Sequence, residues 1–272
     1  MSGIKKCFNK IIIIFGILFA VACIVMSGRI LTGLSSEGSK ESVQVVFLGD
    51  SIFGNFRDES SIPALFSESA GKTVLNAGLG GTTAAVCGNN PRSEVVQDSL
   101  SLVGIAEAIS CGDYSIQRSA IPSRVANGDL TYFDETINDL ESTDITGAEI
   151  VIIEHGLNDY FNDWPIDGVA GNTNSYTGAM NYAIKLIKAK CPNSAIVLVS
   201  PVYGRDNLSG YSLAAEMVAK DQNIYFFDAY NAGIVDSSNV DEVTIDGIHL
   251  NEIGREIYAD KLYDYCKSQG LL

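Results

Sequence analysis

Histidine is scarce in this chain: 272 residues contain two, His155 and His249. The six cysteines include no C-x-x-C pair and no Cys/His cluster at metal-ligand spacing, so neither a metal nor a cofactor is expected. Basic residues are also few, 18 Lys and Arg against 33 Asp and Glu, for a formal charge of −15. The four before Ser36 (Lys5, Lys6, Lys10 and Arg29) face no acid there, which leaves 14 basic and 33 acidic residues, or −19, for the rest. Such a surface repels nucleic acid and anionic headgroups, and no nucleic-acid partner is expected. It keeps an exported protein soluble more readily than it marks a cation site. The glycine run "NAGLGGTT" has Thr83 where a dinucleotide fingerprint needs Gly, and Gly71-Lys72-Thr73 has Phe66 where a P-loop needs its first Gly, which leaves nucleotide binding a weak alternative. There is no internal repeat.

With 46% hydrophobic and 19% charged residues, the composition suits one compact domain plus a short appendage. The appendage is N-terminal. Lys5, Lys6 and Lys10 precede "IIIIFGILFAVACIVM", sixteen apolar residues at 11–26, and the mostly apolar "SGRILTGL" extends the run. The pattern predicts a signal-anchor over residues 1–34, with a cleaved signal peptide or, from "AVAC", a lipid anchor at Cys23 as alternatives. In each case the basic flank stays inside and the remainder is exported, held at the cell membrane or secreted. The Ser- and Gly-rich residues 35–42 read as a tether, and the folded domain is expected over 43–272.

Short apolar runs recur: "VQVVFL", "TVLNA", "EIVIIEH", "AIVLVS" and "NIYFF". Each suits a strand buried on both faces, and helical patterns separate them. The expected fold is α/β, a three-layer doubly wound sandwich on a roughly five-stranded parallel sheet. Residues 84–130 are too long for a simple connection and predict a helical insertion. Cys87 and Cys111 bracket part of it and can pair outside the cell, or remain isolated buried thiols.

In an open parallel sheet, ligands bind beyond the carboxyl ends of the strands. "GDS" follows the first strand, "NAGLGGTT" the second and "EHGLND" the third; "DGIHL" precedes the last helix. Gly78, Gly80 and Gly81 can expose amide hydrogens to an anion. Asp246 and His249, three apart in a turn, can put the carboxylate on one imidazole nitrogen and leave the other as a base. His155 also lies at a strand end, but Glu154 points to the opposite face, so His155 reads as a pocket-lining or packing residue.

The four blocks, in this order, resemble the SGNH hydrolases, also called GDSL-type esterases and lipases, over about residues 43–272. The resemblance implies a flavodoxin-like fold and a nucleophile at Ser51 of "GDSI". It implies an oxyanion hole from the amides of Ser51 and Gly81 and the side chain of Asn158 in "GLND", with Asp246 orienting the base His249. Ile52 stands where the family usually has Leu, and Leu250 where it often has Pro.

The expected reaction is ester hydrolysis through an acyl-enzyme. Tyr160, Phe161 and Trp164, with Tyr203 and Arg205, are candidate pocket walls. No lid is evident, and surface members of the family often deacetylate carbohydrate, so the expected partner is a small-molecule or glycan ester with a short acyl group. Lipase, lysophospholipase or thioesterase activity is the nearest alternative, and a non-catalytic glycan-binding module the alternative of another class. A monomer is expected, touching the membrane through its N-terminal segment.

Overall fold

The computed structural model describes residues 40–86, 98–126, 132–167, 172–202 and 208–272, with the side chains of 123–126 excepted. The apolar run, most of the tether, Cys87, Tyr203 and Arg205 lie outside the described residues. Among those described, no helix is long and apolar enough to cross a membrane. The compact unit containing the described sheet starts at Glu41.

Five parallel strands form one sheet: β1 (Val45–Gly49), β2 (Val74–Asn76), β3 (Ile150–Glu154), β4 (Ala195–Val199) and β5 (Tyr225–Phe227), in the order β2-β1-β3-β4-β5. All residues of β1 and β3 are buried, which accounts for the apolar runs Val45–Leu48 and Ile150–Ile153. The chain runs from β1 to β2 in one direction and from β3 to β5 in the other, so right-handed crossovers place the intervening helices on opposite faces. Helix α1 (Ser51–Gly54) follows β1 directly, and α2 (Ile62–Ala70) crosses to β2. The second connection holds α3 (Leu102–Cys111), α4 (Ser115–Ala126) and α5 (Phe133–Ser142). Next come α6 (Leu157–Phe161), α7 (Tyr176–Lys190), α8 (Ser209–Gln222), α9 (Val240–Val243) and α10 (Glu252–Ser268).

Helix α10 packs on α2, and α3 and α8 pack on α7, giving the two outer layers. The insertion predicted over 84–130 therefore supplies a layer helix, α3, whose residues Leu102, Val103, Ile105, Ala106 and Ile109 are buried. A short parallel ladder, Glu41–Ser42 with Thr143–Asp144, lies outside the main sheet. Cys111 is an exposed free thiol, while Cys191 and Cys266 are free and buried.

Aromatic packing fixes the turn after β1. Phe53 of α1 meets Phe47 edge-on at 5.0 Å and Tyr258 of α10 at 5.9 Å. Gly49 makes room for it, since a Cβ there would lie 2.6 Å from the Phe53 ring. The same economy brings α1 against the loop after β2: a Cβ on Gly54 would lie 2.7 Å from the Gly78 carbonyl, and one on Gly78 2.7 Å from the Gly54 nitrogen. Two backbones can approach this closely only where neither carries a side chain.

Candidate active site

Ser51 heads α1 and is 6% exposed, with Asp50 as the helix N-cap. At the other end of the chain, the segment before α10 is folded by the Thr244–Leu250 antiparallel bridge and by the Ile245 amide donating to the His249 carbonyl at 2.8 Å. Within that loop, Asp246 Oδ1 accepts the amides of Ile248 (3.0 Å) and His249 (2.8 Å), and its Oδ2 lies 2.8 Å from His249 Nδ1. His249 Nε2 lies 3.1 Å from Ser51 Oγ. With Nδ1–H donating to the carboxylate, the free lone pair of the neutral imidazole is on Nε2, facing the hydroxyl. Burial would raise the Asp246 carboxyl, but the His249 ring and the two amides outweigh it and hold the group below the usual carboxylate value.

The loop after β2 holds Gly81 at φ +69°, a left-handed conformation that glycine adopts without strain. The Gly80 amide donates to the Tyr132 hydroxyl at 2.8 Å, and Asp159 clamps the end of the loop by accepting the Ala84 (2.8 Å) and Ala85 (2.9 Å) amides, one on each oxygen. The Ser51 amide, in the first turn of α1, has no i−4 carbonyl to meet. Asn158 behaves differently. Its Nδ2 donates to Asp50 Oδ2 and to the Thr82 carbonyl, both at 3.0 Å, so both protons of the expected third donor are engaged at rest.

His155 is 2% exposed and adjoins a hollow of about 10 Å³ beneath the site, with Gly49, Leu79 and Thr82 among its neighbours. Its burial suits the packing role, and its place on the hollow the pocket-lining one. Burial lowers it to about 3, so it stays neutral, and the Thr82 backbone bonds its ring. Tyr160 is half-buried against Phe161 and Tyr211, and Trp164 is half-buried. Phe161 alone of these projects well into solvent, at 48%.

Three buried side chains have no role assigned from the sequence. Asp50, Glu154 and Asp159 are all fully buried beneath the site. Burial raises Asp50 to about 6 and Asp159 to about 7, and raises Glu154 well above its usual value. The available signal was an acid closing a strand buried on both faces, "IVIIE", where alternation offers no solvent-facing side. Arg255 is a fourth: only 5% exposed, it donates to the Ser60 carbonyl (2.7 Å), the Ser60 hydroxyl (2.8 Å) and the Leu250 carbonyl (2.9 Å), tying the His249 loop to the segment after α1.

A parallel α/β sheet that carries a Ser, His and Asp line at its carboxyl edge has the groups that a hydrolase of acyl compounds uses. The GDSL-like lipase/acylhydrolase family model matches residues 47–257, and the chain belongs to that family. Solved structures of similar fold include a protein from Lactobacillus plantarum (16% identity, TM-score 0.58, 85% of this chain and 98% of that one). They also include a possible lipase from Chitinophaga pinensis (17%, 0.56, 85% and 100%) and an acetyl xylan esterase from the rumen bacterium Butyrivibrio proteoclasticus (13%, 0.51, 85% and 65%). No curated protein matches.

Proposed function

We propose that the protein is a serine esterase that removes short acyl groups, acetyl foremost, from extracellular carbohydrate. The observation that carries this reading is the line from Asp246 Oδ2 through His249 to Ser51 Oγ, with contacts of 2.8 and 3.1 Å. His249 Nε2 takes the Ser51 proton as Oγ attacks the acyl carbon, and Asp246 stabilises the imidazolium that forms. The oxyanion meets the Ser51 and Gly81 amides. Asn158 completes the hole by exchanging its Thr82 carbonyl partner for the developing charge, a bond worth making only in the transition state. The imidazolium then protonates the leaving alcohol, and water drawn to Nε2 hydrolyses the acyl-enzyme.

The acetyl preference is supported by the lack of a lid in the sequence and by the acetyl xylan esterase among the similar structures. One observation favours the longer-chain reading: Phe161 (48% exposed) and Ile245 (63%) sit on the two segments that supply Asn158 and His249, and can rest against an alkyl tail. The proposed location is outside the cell, held through residues 1–34 or released from them.

The test compares the full chain with Ser51→Ala on p-nitrophenyl acetate, followed by butyrate, octanoate and acetylated xylan. Ser51→Ala is expected to lose at least about 10⁴-fold in kcat/KM. Equal rates for the two proteins, or no reaction of the wild type with a serine-directed phosphonate, would sink the esterase reading. A rate that rises with chain length would move it to lipase.

A further inference from the structure

Glu154 closes β3 level with Gly49 in β1, which carries it against Asp50. It is fully buried, and neither of its oxygens has a hydrogen-bond donor among the described N–H and O–H groups; the Asp50 amide approaches too poorly to make a full bond. The side chain within reach is the Asp50 carboxyl itself. Two adjacent buried carboxylates cannot both carry charge, so one of the pair holds a proton. Asp50 receives full N–H bonds on both oxygens, from Ile52 at 3.0 Å and from Asn158 Nδ2 at 3.0 Å, and these favour its charged form. Glu154 receives none, so the proton belongs on Glu154.

We propose that Glu154 is a positioning residue: its carboxyl O–H donates to Asp50, and Asp50 is thereby kept the acceptor that aims the Asn158 amide beside Ser51. The chain Glu154, Asp50, Asn158 rests on the proposed oxyanion role of Asn158. The groups facing the pair are Asp159 on α6, Tyr176 on α7, Tyr258 on α10 and, toward Asp50, His249. Loss of the proton would add a second negative charge to this enclosure, and loss of the donor would leave Asp50 free to turn from Asn158.

Two substitutions separate donor from charge. Glu154→Gln keeps a donor of the same length, whereas Glu154→Leu keeps the volume without the donor. With the full chain and p-nitrophenyl acetate, Glu154→Gln is expected to hold kcat within about threefold of wild type. Glu154→Leu is expected to lose about 10- to 100-fold in kcat at nearly constant KM, the cost of a misplaced reacting group. A folded Glu154→Leu with wild-type kcat, or Glu154→Gln falling as far as Glu154→Leu, overturns the proposal. A second measurement does not depend on turnover. The infrared difference spectrum of wild type minus Glu154→Gln at neutral pH is expected to show the carbonyl band of a protonated carboxyl, and Ser51→Ala to retain it. Absence of that band overturns the proposal even if the protein is an esterase; its presence in a protein without esterase activity would sink the proposed function and leave the Glu154 proton standing.

Discussion

Two aspartates flank the Ser51–His249 contact, and they are built on opposite terms. Asp246 has a side chain 49% exposed and is held ionised by three donors from its own short loop. Asp50 is fully buried, its donors come from α1 and from Asn158, and its carboxyl is raised to about 6. The exposed acid and its donors lie within four successive positions and need little from the rest of the fold. The buried one exists only because β1, β3 and α6 meet at the same sheet edge, and it must share its enclosure with two further acids. On the proposed roles, orienting the base takes a turn, while aiming the oxyanion donor takes a core.

The comparison breaks first at Asp246. Replacing it with Asn keeps the size but lets the imidazole settle in the wrong tautomer, and kcat is expected to fall by about 100- to 10,000-fold while the melting temperature hardly moves. Steady-state kinetics beside a thermal melt check both halves; a variant that loses stability with its activity would erase the distinction. Asn158→Ala is expected to cost about 100- to 1,000-fold in kcat with little change in KM, and a rise in KM alone would remove Asn158 from the oxyanion hole.

The smallest effect tests the buried side through stability. Asp159 titrates near 4 when unfolded and about 7 when folded, burial being the chief cause, so the unfolded chain gives up this proton first. Its contribution to stability is full below about pH 4 and is lost as pH rises through 7. Asp159→Asn lacks this titration, so relative to wild type it is expected to gain up to about 1.4 kcal/mol per pH unit between pH 4 and 7 in urea unfolding. An unchanged difference across that window would mean the carboxyl is not protonated in the fold. His155, lowered to about 3, acts in the opposite direction, and comparing variants cancels it.

Much of the sheet was legible because a strand buried on both faces is apolar along nearly all its length, as "VVFLG" and the first four residues of "IVIIE" are. Helix α4 was not singled out, because "SIQRSAIPSRVA" carries Pro122 and no clean apolar stripe. The two-residue ladder at Glu41–Ser42 is too short to leave a pattern. At the site, features that close within a few residues could be read directly, as Asp246 and His249 show. The Asp50–Asn158 bond spans 108 residues and the Arg255–Ser60 bonds 195, and nothing in either local sequence names its partner. Glu154 shows the limit of alternation. It sets the acid opposite His155, but direction alone does not distinguish solvent from a second buried layer.

The Ser51–His249 contact joins residues 198 positions apart, and Arg255 in the last helix secures it. On the proposed roles, a growing polypeptide carries its serine almost from the start of the domain but acquires the base nearly at the end. The reaction therefore stays switched off until residue 249 has been made and placed, and a molecule truncated before it is a hydroxyl without a proton acceptor. Completion of the domain is itself the licence to cleave.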